Sequence, residues 1–181
     1  MTMRVAALLC AFCLGVFALA FAAPVAAKGR AGGILPGASA KDPLNIDAGK
    51  LDYFDKEQKL VYSGSVIVTN GPSTLKATRL TIQLSGKGEA SGPTSNDRVK
   101  HIDADGPVTL VSKDQIGTGD HGSYDKAENK VYLTGNVTLS QGDNVTKGDR
   151  LVYDVTTGVA AVQGGGGQGG RVKSIFTPKE H

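Results

Sequence analysis

The chain repeats itself at short intervals, and this constrains its fold more than any single segment does. Superposing Gly106-Pro107-Val108-Thr109-Leu110 on Gly135-Asn136-Val137-Thr138-Leu139 takes an offset of 29 residues. At that offset Asp114 meets Asp143, Gly119-Asp120 meets Gly148-Asp149, and Tyr124-Asp125 meets Tyr153-Asp154. A second superposition, offset by 71 residues, sets Gly64 on Gly135, Tyr53 on Tyr124, Glu57 on Glu128 and Lys59 on Lys130. It also sets Val66 on Val137, Gly71 on Gly142, Lys76 on Lys147 and Arg79-Leu80 on Arg150-Leu151. Within each unit, apolar and polar residues alternate through β-branched runs at 65–69, 79–84, 107–111, 130–134 and 136–140. Each unit reads as strand, charged turn, strand, glycine, strand, turn, strand. One such unit cannot bury its apolar face alone, but a series of them can. The expectation is therefore an all-β domain of stacked hairpins. A content of 25 glycines, with 6% aromatics and no Trp, agrees with many tight turns and disfavours a helical bundle.

The remaining segments frame that domain. Residues 1–27 read as a signal peptide: one positive charge at Arg4, an unbroken apolar run over 5–23, then small residues. Ala20-Phe21-Ala22 and Val25-Ala26-Ala27 both offer cleavage sites. The apolar run is also near the length that spans a bilayer, so an uncleaved anchor is the alternative. Both cysteines, Cys10 and Cys13, lie inside it, which leaves the exported chain without disulfide or thiolate chemistry. Residues 28–43 are rich in Gly, Ala and Pro without periodicity and read as a flexible leader. The β domain runs over 44–178, and residues 179–181 form a disordered tail. Inside the domain, 85–97 reads as a polar mobile loop and 163–170 as a glycine link to a last strand over 171–177, closed by Pro178.

Several function classes lack support. A formal net charge of +3, with no block of like charges, argues against nucleic-acid binding by bulk electrostatics. His101, His121 and His181 form no ligand-like pair, and His121 fills the slot that Arg150 holds in the repeat. No serine sits in a G-x-S-x-G elbow. Asp103, Asp105, Asp114 and Asp120 lack calcium-loop spacing. The glycine run at Gly164 is followed by no helix and no Gly-Lys-Ser/Thr ending, so it is no phosphate cradle. The expectation is a non-enzyme with no catalytic residues, no metal and no cofactor.

Alternation and the repeat give one inward set: Leu60, Val66, Val68, Leu75, Leu80, Ile82, Val108, Leu110, Ile116, Tyr124, Val131, Leu133, Val137, Leu139, Leu151 and Tyr153. Two readings of it stay open. In one it is the closed core of an exported interaction protein with a protein-binding edge and no lipid ligand. In the other, its mid-sized aliphatics leave a slot between two sheets, shaped for a straight hydrocarbon chain. The recurring Lys76, Lys147, Arg79 and Arg150 are either ordinary surface charges or a rim for anionic headgroups.

The run Tyr132-Leu-Thr-Gly-Asn-Val-Thr-Leu-Ser-Gln141, followed by Asn144-Val-Thr-Lys-Gly-Asp-Arg-Leu-Val-Tyr153, resembles the OstA-like family of lipopolysaccharide transport proteins. So do Leu44-Asn-Ile-Asp-Ala48, Val61-Tyr-Ser-Gly-Ser-Val-Ile-Val-Thr-Asn70 and Arg171-Val-Lys-Ser-Ile-Phe-Thr-Pro178. The resemblance implies an open, V-shaped, twisted β-jelly roll of about sixteen short antiparallel strands. It implies a periplasmic carrier, with lipopolysaccharide acyl chains lying against the inward set. It also implies a bridge between inner-membrane-anchored and outer-membrane translocon components, built by end-to-end self-association. Leu44 and Ile46 at the start, and Val172, Ile175 and Phe176 at the end, would then form the pairing edges. If the apolar run is retained, the alternative is the membrane-anchored sibling of the same system.

Overall fold

The structure, a computed structural model, describes residues 33–39, 41–86, 98–113, 115–165 and 170–176. The proposed signal peptide with Cys10 and Cys13, most of the 85–97 loop, Asp114, and the tail with His181 lie outside the described residues.

Six long strands carry the repeat: β3 (Lys59–Asn70), β4 (Ser73–Leu84), β5 (Val99–Ser112), β6 (Gln115–Asp125), β7 (Lys130–Gln141) and β8 (Asn144–Asp154). Four short ones border them: β1 (Leu44–Asp47), β2 (Lys50–Phe54), β9 (Ala160–Gln163) and β10 (Lys173–Ile175). Each strand pairs antiparallel with its neighbours along the path β1-β3-β4-β5-β6-β7-β8-β10, with β2 also on β3 and β9 also on β8. No α-helix occurs among the described residues.

The glycines that anchor the sequence repeat fold this sheet. Gly64, Gly106 and Gly135 have φ of 86°, 89° and 76°, a region open mainly to glycine. Each opens a two-residue bulge, where the ladder slips between Ser63 and Val66, Asp105 and Val108, or Thr134 and Val137. The three bulges sit level, because Ser63, Arg79, Asp105, His121, Thr134 and Arg150 form one cross-strand row beside them. A bulge bends its strand and sharpens its twist, so a row of bulges creases the whole sheet into two layers. The upper layer holds β1, β10 and the half-strands leading to the turns at Gly71, Lys113 and Gly142. The lower layer holds β2, β9 and the half-strands leading to the turns at Gln58, Asn129 and Gly158. Divided at the crease, each long strand gives two pieces and each short strand one, which recovers the sixteen short strands of the expected jelly roll.

The lower turns at Asn129 and Gly158 share a device. Asp125 Oδ1 accepts the amides of Ala127 and Glu128 at 2.8 and 3.1 Å. Asp154 Oδ1 accepts those of Thr156 and Thr157 at 2.9 and 2.8 Å. Each turn then closes on a left-handed residue, Asn129 or Gly158. Between the layers lies one apolar cluster, in which Val66, Leu80, Val108, Leu133 and Val137 are at most 1% exposed. Leu133 reaches from the lower layer to the upper one. A Cβ built on Gly117 would lie 2.9 Å from its Cδ1, so only glycine leaves room there.

The leader departs from expectation. Over its described part it is not a free linker: Ile34 and Leu35, each 4% exposed, belong to the apolar cluster. Two adjacent aliphatic residues beside a folding sheet gain more from burial than from exposure.

Candidate functional site

Directly paired residues share one side of a sheet, so the register assigns every face. In the lower layer, two inward rows run across the strands. One is Tyr53, Leu60, Ile82, Ile102, Tyr124, Val131, Tyr153 and Ala160; the other is Leu51, Tyr62, Leu80, Ala104, Gly122, Leu133, Leu151 and Val162. In the upper layer the inward row is Ile46, Val68, Leu75, Leu110, Gly117, Leu139, Thr146 and Ser174. Along the upper lip runs a last inward row that begins Leu44, Asn70, Ser73, Ser112.

All but one of the expected lining residues fall on these inward faces or in the buried cluster beside the crease. The exception is Ile116. It pairs with Val111 and Ser140, faces outward and is 43% exposed, while its neighbour Gly117 points in. Tyr62, Leu84, Val99, Ile102 and Ala104 also line the interior. Extending the alternation from Leu60 and Val108 finds Tyr62, Ile102 and Ala104, whereas no pattern marks Ile34 and Leu35.

The expected rim is corrected. Lys76 and Lys147 lie in an outward row with Thr109, Thr118 and Thr138. Arg79 and Arg150 lie in the outward row beside the crease. All four are exposed on the outer faces, and Arg150 stacks its guanidinium 5.0 Å from the centre of the Tyr132 ring.

The interior is open at one end and filled at its centre. Between β1 and the lower halves of β3, β4 and β5 lies a cavity of about 260 Å³. Leu44, Ile46, Leu60, Tyr62, Ile82, Leu84 and Val99 line it, with Asn45. Further along, spaces of about 20 Å³ lie beside Leu35 and beside Pro36, and an open, more polar cavity of about 540 Å³ lies between Gly37 and Ala38 of the leader and Tyr153 and Val155. The slot is therefore not continuous from edge to edge, because Leu133 and the leader occupy its middle. Burial pushes the Tyr62 phenol above its usual range. It does the same for Tyr124 and Tyr153, helped by the neighbouring carboxylates of Asp125 and Asp154. These phenols stay neutral, so the lining carries no charge on them.

The pairing edges differ in position. Leu44 and Ile46 point inward and border the cavity. Val172, Ile175 and Phe176 are 43%, 63% and 74% exposed. Among the described residues, β1 and β2 pair only with β3, β9 and β10 only with β8. No group of three or more metal-binding side chains occurs among the described residues.

The family described as LptA/(LptD N-terminal domain) LPS transport protein matches residues 45–159. An uncharacterized protein of Rhizobium meliloti (strain 1021) is 32% identical over 70% of this chain and 68% of its own length. The lipopolysaccharide export system protein LptA of Escherichia coli (strain K12) is 27% identical over 76% of this chain and 72% of its own. The crystal structure of LptH, the LptA-homologous periplasmic component of the lipopolysaccharide transport device of Pseudomonas aeruginosa, superposes with a TM-score of 0.63 at 20% identity. It covers 77% of this chain and 98% of LptH, and at that identity it speaks to the fold.

Proposed function

The chain belongs to the LptA/(LptD N-terminal domain) LPS transport protein family, and from that premise we propose that it carries lipopolysaccharide through the periplasm with the acyl chains held between its two layers. The observation that carries this reading is the cavity at the β1 end, bordered by both layers and lined mainly by aliphatic side chains. Burying a methylene is worth about 0.8 kcal/mol, so shielding about six of them gains on the order of 5 kcal/mol. A lining without charge lets a chain shift within the cavity with little change in buried area, and passage past the middle requires the leader to yield its place there. Such a passive lumen has no direction of its own, so the drive comes from an energy-coupled extractor upstream. The periplasmic setting fits the chain's apolar N-terminal run and its likeness to LptH, a periplasmic component.

The bridge forms by strand addition, β1 and β2 of one copy or partner meeting β9 and β10 of the next. Each backbone hydrogen bond contributes about 1 kcal/mol net, against an association cost of about 4–15 kcal/mol. Self-association is therefore weak and concentration-dependent, and side-chain contacts with the inner- and outer-membrane components supply the remainder. The interlocked centre around Leu133 favours a second reading, a closed interaction module without lipid. The two separate in one titration. Purified lipopolysaccharide displaces a fluorescent fatty-chain probe from a carrier; a protein that neither takes up the probe nor yields it to lipopolysaccharide is not one.

A further inference from the structure

Residues 33–39 belong to no strand of the sheet, yet this strap has Gly33, Ile34, Leu35, Pro36 and Ala38 buried. Leu35-Pro36-Gly37-Ala38 forms a type II turn: Ala38 N donates to Leu35 O at 3.1 Å, and Gly37 has φ of 76° behind a proline. Leu35 drops between the layers, with Leu75 above and Tyr124, Val131 and Leu133 below. The peptide groups of the turn stay at the upper lip and meet a polar row. Asn70 Oδ1 accepts the amides of Ile34 and Leu35 at 3.1 and 3.3 Å. Its Nδ2 donates to the carbonyls of Asp42 and Pro43 at 3.0 and 3.2 Å. The hydroxyls of Ser73 and Ser112 both donate to the Pro36 carbonyl, the latter at 2.6 Å. Asn70 and Ser73 are wholly buried.

The strap thus presents a hydrocarbon side chain to the lumen and amide groups to the lip. A hydrocarbon chain joined at its head through an amide or an ester presents the same pattern. We propose that the strap is an internal stand-in for such a chain, that substrate displaces it, and that the row Asn70–Ser73–Ser112 then recognises the amide or ester at the chain's head. This rests on the carrier reading above and adds the head chemistry that the lumen selects. A plain hydrocarbon in the same place strands three polar side chains that the strap had satisfied, which is the costly outcome for buried polar groups. An amide or ester carbonyl accepts from the two serines as the Pro36 carbonyl does. Because the strap and the chain compete for one place, the closed strap lowers apparent affinity by the fraction of open molecules.

The test uses the full exported chain and hydrogen exchange read by mass spectrometry. Adding purified lipopolysaccharide should speed exchange of the segment covering residues 33–39 by about tenfold or more, because the Ile34 and Leu35 amides lose Asn70. Two probes below their micelle concentrations then read the head chemistry: N-palmitoylglycine, with an amide, and hexadecyltrimethylammonium, whose head has no hydrogen-bond acceptor. Leu35→Ser should tighten both by about tenfold. Ser73→Ala/Ser112→Ala should tighten hexadecyltrimethylammonium alone, cutting the preference for the amide by about tenfold. Lipopolysaccharide bound with the strap's protection unchanged or increased overturns displacement. An undiminished amide preference in the serine variant overturns recognition by the row. If lipopolysaccharide does not displace the fatty-chain probe at all, the carrier reading fails and this inference goes with it.

Discussion

At the edge formed by β1 and β2, the inward side chains are Leu44, Ile46, Leu51 and Tyr53; at the edge formed by β9 and β10 they are Ala160, Val162 and Ser174. At the first edge Leu51 and Tyr53 face inward yet are 50% and 46% exposed, as an uncovered mouth requires. Near the second edge the upper row ends, past Gly117 and Leu139, on Thr146 and Ser174, and the large apolar groups, Ile175 and Phe176, are exposed. The lumen therefore tapers. It opens on an apolar mouth at the start of the chain and ends on small and polar groups at the other side. Joining such unlike edges gives a head-to-tail contact, which extends as a filament or bridge and does not close into a symmetric dimer.

The largest effect is expected from removing the second edge. Deleting residues 171–181 should abolish end-to-end association in light scattering while leaving the β signal in circular dichroism; an unchanged oligomer mass contradicts an edge joint. Next come the two ends of one row, Ile46 and Ser174. Ile46→Glu puts a charge in the apolar mouth and should weaken the fatty-chain probe by at least about tenfold, whereas Ser174→Glu should change it by no more than about twofold. Equal losses would erase the difference between the edges. In urea unfolding, Leu133→Ala should cost about 2–5 kcal/mol, because nothing can collapse into the gap between Gly117 and Gly122. Leu139→Ala, a half-buried residue of the tapered side, should cost about 1 kcal/mol.

The smallest effect concerns acid. Backbone amides, Glu128's foremost, hold the Asp125 carboxyl below its usual range, and Thr157's foremost do so for Asp154. A depressed folded value means stability that is present above the unfolded value, about 3.9 for aspartate, and is lost as pH falls through the folded one. The melting temperature should fall as pH drops below about 4. Asp125→Asn/Asp154→Asn, which keeps an acceptor oxygen without the charge, should flatten that drop; an unaltered slope places the acid sensitivity elsewhere.

Much of this was legible in the residues. The repeat marked Gly64, Gly106 and Gly135, and these are the crease. Ile116 was misassigned for a reason the crease supplies. On β3, β5 and β7 the slip takes two residues and preserves the inside–outside alternation. On β6 it takes one, so counting back from Tyr124 in steps of two lands on Ile116, although the inward residue above the crease is Gly117. Recurrence of Lys76 and Arg79 reflected the same register, which turns both outward. The strap escaped because two aliphatic residues have no period; its signal was the turn-forming Pro36-Gly37 directly after Ile34-Leu35.

Passage of acyl chains between the layers is tested most directly by a photo-crosslinking amino acid at two adjacent positions of β4 in exporting cells. Ile82 faces the cavity and Thr81 the outer surface. Lipopolysaccharide adducts from position 82 and none above background from position 81 are the expected result. Adducts from position 81 alone, or in equal yield from both, contradict a path through the interior.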